Sequence, residues 1–396
     1  MSNIIKNKNE MFLSMYLFIF SFIKPVLINN SDKSTLILTV TIGILIGVWL
    51  LLEMIITKTI TISVKSIMFI IIIYLILFCE SILRPNIMIK NFLYQFTIYG
   101  AIPILLCSKV ENYKKLLEYY AAFSIINGTI YFFDPWNSYK LSGDYMNFGF
   151  CQMLPAFAGS IIVFNIFKKK YGILLMLIFF VQIFLYANKG ATISSLCLIL
   201  ISYIFFNDKK KVVSKKFLVI GFGLIMLLLN LKTIIELLIK LIKSLNLQTY
   251  SLITFLYMLQ NNGNIVYQSR TDIWKNAIQQ FFQNPILGNG IGFFEANFNG
   301  YTHNFFLDIA VSSGMIGITI ILIVLMICIK RVISIQGKYK KYFLIIMFVI
   351  SFIPMMFSLT YWMVMPFWIY LAISLCSKKE KIFIDGEKNE NINRKL

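Results

Sequence analysis

The chain has 396 residues, of which 59% are hydrophobic and only 14% charged, with mean hydropathy +0.78. A soluble domain carries about a quarter charged residues, so this composition argues against one. The formal net charge is +20, but Lys and Arg fall in short clusters between apolar runs rather than on one water-facing surface, which argues against a nucleic-acid partner.

Repeated apolar runs near the length of a spanning helix predict an all-α polytopic membrane protein with about 12 transmembrane helices. The expected spans are 10–28, 35–56, 66–83, 91–107, 116–133, 147–167, 171–188, 189–206, 217–236, 304–329, 342–358 and 361–377. Residues 1–236 thus hold helices one to nine, 237–303 form a large extracytoplasmic loop, 304–377 hold the last three, and 378–396 form a cytoplasmic tail. The first apolar run contains Lys24 and Pro25, and no small-residue cleavage pattern follows. It reads as a retained helix rather than a signal peptide.

Orientation follows from the basic residues. With the N-terminus inside, 26 of the 37 Lys and Arg lie in cytoplasmic segments and 10 in outer ones, with Lys24 inside the first span. That asymmetry places both termini in the cytoplasm and supports an even number of spans. The six cysteines are scattered through apolar runs, with neither zinc nor redox spacing. They read as packing residues.

The loop 237–303 is long for a connection, and a loop of that length is usually functional. Its first part, LKTIIELLIKLIKSLNL, reads as a helix lying along the bilayer surface. A second amphipathic helix is expected in TDIWKNAIQQFFQNP, with Ile273, Trp274, Ala277, Ile278, Phe281 and Phe282 on its apolar face. Thr271 is expected to cap it and Asn284–Pro285 to end it, with Trp274 near the lipid headgroups.

His303 is the only histidine in the chain, at the point where the loop enters span ten. It reads either as structural or as a group titrating near neutrality in a site. Arg270, at the expected helix start, reads either as a flanking cation or as an anion clamp. Lys189 sits in the turn between spans seven and eight, as an interfacial anchor or a second cation. Gly288, Gly290 and Gly292 fail the dinucleotide fingerprint and read as a turn that brings backbone close to headgroup or substrate. The acids nearest the spans are Glu53, Glu80, Glu118 and Asp308, all at span ends. A proton-coupled transporter usually needs an acid at depth. No outer cluster has metal-ligand spacing, so neither a metal nor a cofactor is expected.

Residues 269–318 resemble the O-antigen polymerase and O-antigen ligase family of bacterial glycan-assembly proteins. The segments that carry the likeness are SRTDIWKNAIQQFFQNPILGNGIG and THNFFLDIAVSSGMIGITI. The family pattern there is an Arg, a Trp and Ala on a short helix, a Pro before a glycine turn, then His-Asn. A span with Gly-x-x-Gly follows, here Gly314 to Gly317. Two features depart from it. Lys189–Gly190 stands where relatives carry Arg-Gly, and Ser312 and Ser313 stand where relatives often carry an acid. Lysine keeps the charge but loses the bidentate fork.

The resemblance implies a metal-independent glycosyltransferase on the outer face of the bacterial cytoplasmic membrane. Its donor would be an oligosaccharide on a polyprenyl pyrophosphate, and its acceptor another lipid-linked repeat. Membrane lipids, a chain-length regulator and a flippase would be its partners. Arg270 and Lys189 are implied to bind the pyrophosphate, Asn304 to contact substrate, and His303 to take the acceptor proton. A ligase of the same family and a lipid-linked oligosaccharide flippase are the rival readings. No internal repeat of the kind a transporter shows is visible.

Overall fold

The structure, a computed structural model, describes residues 7–27, 31–57, 63–132, 146, 148–186, 189–206, 236, 237, 240, 244, 264–298 and 300–376. Among these every regular element is helical. The helices are α1 (Lys8–Leu27), α2 (Ser31–Thr57), α3 (Val64–Leu83), α4 (Met88–Gln95), α5 (Ile102–Cys107) and α6 (Tyr113–Phe132). They continue with α7 (Leu154–Asn165), α8 (Tyr171–Tyr186), α9 (Lys189–Phe206), α10 (Asn264–Gln283) and α11 (Phe293–Phe298). The last three are α12 (Phe305–Ser334), α13 (Lys338–Phe357) and α14 (Met365–Cys376). A π-helical segment, Phe96–Ala101, joins α4 to α5, and another, Phe148–Met153, leads into α7.

A helix lies over every expected span except 217–236, of which all but Glu236 falls outside the described residues. The surface helix expected from LKTIIELLIKLIKSLNL and the tail 378–396 fall outside them too, although Glu236, Leu237, Lys240 and Ser244 are helical. Among the described residues four helices are long and apolar enough to cross a membrane: Val64–Leu83, Phe148–Asn165, Phe305–Ser334 and Lys338–Phe357. The first and third of these bury little of themselves in the protein, the second and fourth most. In a bilayer α3 and α12 would therefore face lipid, while α7 and α13 form the centre.

At the ends read as cytoplasmic, one buried carboxylate ties three segments. Glu53 receives Lys8 at 2.6 Å and Lys109 at 2.9 Å. Glu10 accepts the main-chain N–H groups of Glu111 and Asn112 at 3.0 and 2.8 Å. Charges this buried are tolerated only when paired and hydrogen-bonded. They lock α1, α2 and the turn before α6 together.

At the opposite ends the sequence breaks its own longest helix. Gly314, inside α12, has φ +60° and ψ −158°. A break frees main-chain groups that hydrocarbon cannot satisfy. The glycine turn after α10 satisfies them. Asn289 N–H donates to Val311 O at 2.8 Å and Gly290 N–H to Ser312 O at 2.9 Å. In return Met315 N–H donates to Pro285 O at 2.8 Å and Ile316 N–H to Ile286 O at 3.3 Å. The turn thus meets the backbone of α12 rather than a headgroup. A Cβ on Gly314 would stand 2.3 Å from Ile286 O, and one on Gly288 (φ +69°) would stand 2.4 Å from Ser313 N. Arg84, just past α3, adds a clamp from its Nη1 to Gly288 O at 3.1 Å.

Gly314→Ala forces an alanine into backbone angles essentially reserved for glycine, costing about 1–3 kcal/mol, and adds a main-chain clash. It should lower the melting temperature in detergent micelles by several degrees. Gly47→Ala is the control, because its Cβ meets nothing within 4 Å. A helical Gly→Ala there should be neutral or gain up to about 1 kcal/mol. Equal melting temperatures for the two variants would contradict the interlock.

Candidate active site

The interlock sets where α10 and the start of α12 meet. Ala277 is fully buried and packs with Phe294 of α11 and Val311 of α12, with Ile273 and Leu307 alongside. Only part of the expected apolar face of α10 docks in this way. Ile278 and Phe282 are exposed, Phe282 by 70%. Trp274 differs from expectation, since its indole N–H donates to Thr302 O at 3.0 Å. It braces the segment that carries His303.

Helix α10 also begins seven residues before Thr271, at Asn264. No Gly or Pro interrupts residues 264–271, so nothing in the chain stops the helix extending backwards. Thr271 is therefore interior, and Arg270 lies nearly two turns inside the helix. Arg270 is thus not at the free N–H groups of a helix start. Its charge bears instead on Lys189, the first residue of α9.

His303 lies outside the helices with φ +55°. A non-glycine residue in that conformation is uncommon and strained, and such strain concentrates at functional sites. Its ring lies 4.2 Å from that of Tyr301. Burial holds its pKa below the ordinary histidine value, the charge of Arg270 pushes in the same direction, and a hydrogen bond with the Ser358 main chain opposes them. Its Nδ1 is buried without a hydrogen-bond partner among the described residues. Arg270 reaches the same point: its Nη2 donates to Ser358 Oγ at 3.5 Å. Among the described residues Arg270 makes no ion pair. Arg270 and His303, distant in sequence, therefore meet at Ser358 at the end of α13, and the charge of Arg270 also bears on Lys189.

Residues 173–322 match the O-antigen ligase family, Wzy_C. The stretch runs from α8 to the middle of α12 and contains Lys189, Arg270, His303 and Asn304. The resemblance read from residues 269–318 is thereby borne out: this membrane protein carries a domain of the O-antigen ligase family over residues 173–322. Members of the family are membrane enzymes that transfer glycan, and the family points to lipid-linked oligosaccharide substrates. No curated protein and no solved structure matches the chain.

Within this O-antigen ligase domain Asn304 has a structural task. Its Oδ1 accepts the N–H groups of Phe306 and Leu307 at 3.0 and 3.1 Å and caps α12. Phe305, 1% exposed, packs edge-on against Phe352, Tyr361 and Phe367 and fixes the helix start. Asp308, the nearest acid to the expected acidic position, is buried and accepts from Thr360 Oγ1 at 3.2 Å. Ser358 and Thr360 lie beyond the matched residues, and nothing in the sequence pattern drew attention to them.

The cap predicts a specific pattern. Asn304→Ala should lose about 1 kcal/mol of stability, while Asn304→Ser, which still caps, should melt close to wild type. Thermal unfolding in micelles measures it. Wild-type melting of the alanine variant would show that the cap does not hold α12.

Proposed function

We propose that this protein joins lipid-linked oligosaccharide repeats into a surface polysaccharide, O-antigen or capsule, on the outer face of the bacterial cytoplasmic membrane. The donor is a glycan on a polyprenyl pyrophosphate and the acceptor is a sugar hydroxyl of another lipid-linked repeat. The observation that carries the proposal is the convergence of Arg270 and His303 on Ser358, with Lys189 within the electrostatic reach of Arg270.

Two cations brought together without a carboxylate on Arg270 favour an anion between them. A pyrophosphate supplies that anion. The acceptor oxygen attacks the anomeric carbon, the bond from that carbon to the pyrophosphate oxygen breaks, and the leaving group departs with the electron pair. Preorganised cations stabilise the charge that develops on it. His303 takes the acceptor's proton, and the factors that lower its pKa keep it neutral, and so basic, near neutrality. Nδ1 is closed to water in the resting site, so acceptor entry has to shift its cover. This division of labour needs no metal. Asn304 keeps an amide N–H₂ beyond its cap, and in this reading that group contacts substrate beside His303. The expected twelve crossings, with both termini inside, put the site on the outer face.

The family description favours a second reading, transfer of the finished glycan to a different acceptor by the ligase reaction. The chemistry at Lys189, Arg270 and His303 is the same in both. The flippase reading has no support from the family match.

His303→Asn tests the proposal cleanly, because asparagine tolerates the left-handed conformation and so spares the fold. At equal protein level it should slow transfer by about 10²–10⁴-fold. Lipid-linked single repeats should accumulate on a glycan gel. Arg270→Ala and Lys189→Ala should also accumulate them, whereas Lys189→Arg should keep long polymer. Wild-type polymer from His303→Asn would remove His303 from the chemistry. Loss of a ligated product with polymer length unchanged would decide for the ligase.

A further inference from the structure

Ser358 stands where α13 ends. Its main-chain N–H bonds Pro354 O at 2.9 Å, and Leu359 N–H shares that carbonyl at 3.3 Å. Pro354 has no N–H of its own and disturbs the regular ladder one turn before the helix end. Ser358 then leaves the helix with φ −158° and ψ −16°. Its own carbonyl lies past the last turn and has no partner within the helix. The residue is only 2% exposed, and a buried carbonyl needs a partner from the protein. The His303 imidazole provides it.

The hydroxyl of the same residue faces the other half of the site, accepting from Arg270 Nη2 at 3.5 Å. The strap that carries Ser358 is held beyond it as well. Thr360 Oγ1 donates to Asp308 Oδ2 at 3.2 Å, and Trp362 stacks on Phe92 with centroids 5.2 Å apart. Ser358 is thus fixed on both sides while it touches both Arg270 and His303.

The kind of group matters. A carboxylate at this position would steer Arg270 more strongly, but it would also neutralise it. A serine hydroxyl is an uncharged acceptor. It can orient the guanidinium and leave its full charge for an incoming anion. We propose that Ser358 is a positioning residue, whose hydroxyl aims Arg270 and whose main chain aims the His303 ring, so that cation and base address one reacting centre. This rests on the reading of Arg270 as the pyrophosphate cation.

The test is a double-mutant cycle on the full chain in lipid nanodiscs, with farnesyl pyrophosphate as the binding probe. Ser358→Ala should weaken its binding by about three- to tenfold, the range expected for one hydrogen bond. Arg270→Lys keeps a charge but loses the fork, and should weaken binding by itself. Ser358→Ala added to Arg270→Lys should bring little further loss, because the hydroxyl acts through the guanidinium. Unchanged affinity in Ser358→Ala, or losses that simply add, would overturn the positioning role alone. Wild-type affinity in Arg270→Lys would overturn the reading of Arg270 and this role with it.

Discussion

The site depends on main-chain groups that a broken helix cannot satisfy by itself. In α12 the break at Gly314 leaves carbonyls and amides at a depth where lipid offers no partner. The turn Pro285–Gly290 supplies those partners through four hydrogen bonds, two in each direction. Glycine is required on both sides, because the two backbones approach closer than a Cβ allows. Once the turn is fixed, the end of α10 is fixed with it. Arg270 and the segment leading to His303 then have one relative placement, which Trp274 braces through Thr302.

Electrostatics then gives that placement its character. The charge of Arg270 acts on Lys189, and like charges brought near each other are stabilised by an anion between them. The same field acts on His303. Burial and Arg270 both disfavour the imidazolium, and the Ser358 main chain only partly offsets them. In the proposed reaction His303 is then the neutral base and Arg270 and Lys189 are the cations that hold the anion. Glycan transfer from a pyrophosphate needs that combination, with charge on one side of the anomeric carbon and a proton acceptor on the other.

Much of this was legible in the sequence, and the remainder was hidden for identifiable reasons. Hydrophobic runs located the helices well, because length and apolarity are local properties. The end of α10 at Asn284–Pro285 was readable from the proline. Its start was not, since the polar stretch before Thr271 carries no stop signal and reads as loop. Periodicity gave α10 an apolar face but could not say what covers it; α11 and α12 cover Ile273 and Ala277 and leave Phe282 out. The glycine turn was read as a backbone approach, but its partner lay more than twenty residues away. Lys189, Arg270 and His303 were each singled out in the sequence, and the family resemblance grouped them in one site. Ser358 was not, since serine at a helix end is unremarkable until two distant side chains are seen to converge on it.

The central claim is that Arg270 and His303 share one electrostatic environment, and the single histidine makes this directly measurable. Histidine-selective isotope labelling gives one imidazole signal, which can be titrated in micelles for the wild type and for Arg270→Gln. The account predicts that wild-type His303 titrates below the usual value of about 6.5, and that removing the Arg270 charge moves it upward, though burial keeps it from rising fully. A histidine that titrates at or above the usual value, and that ignores the loss of Arg270, would contradict the account.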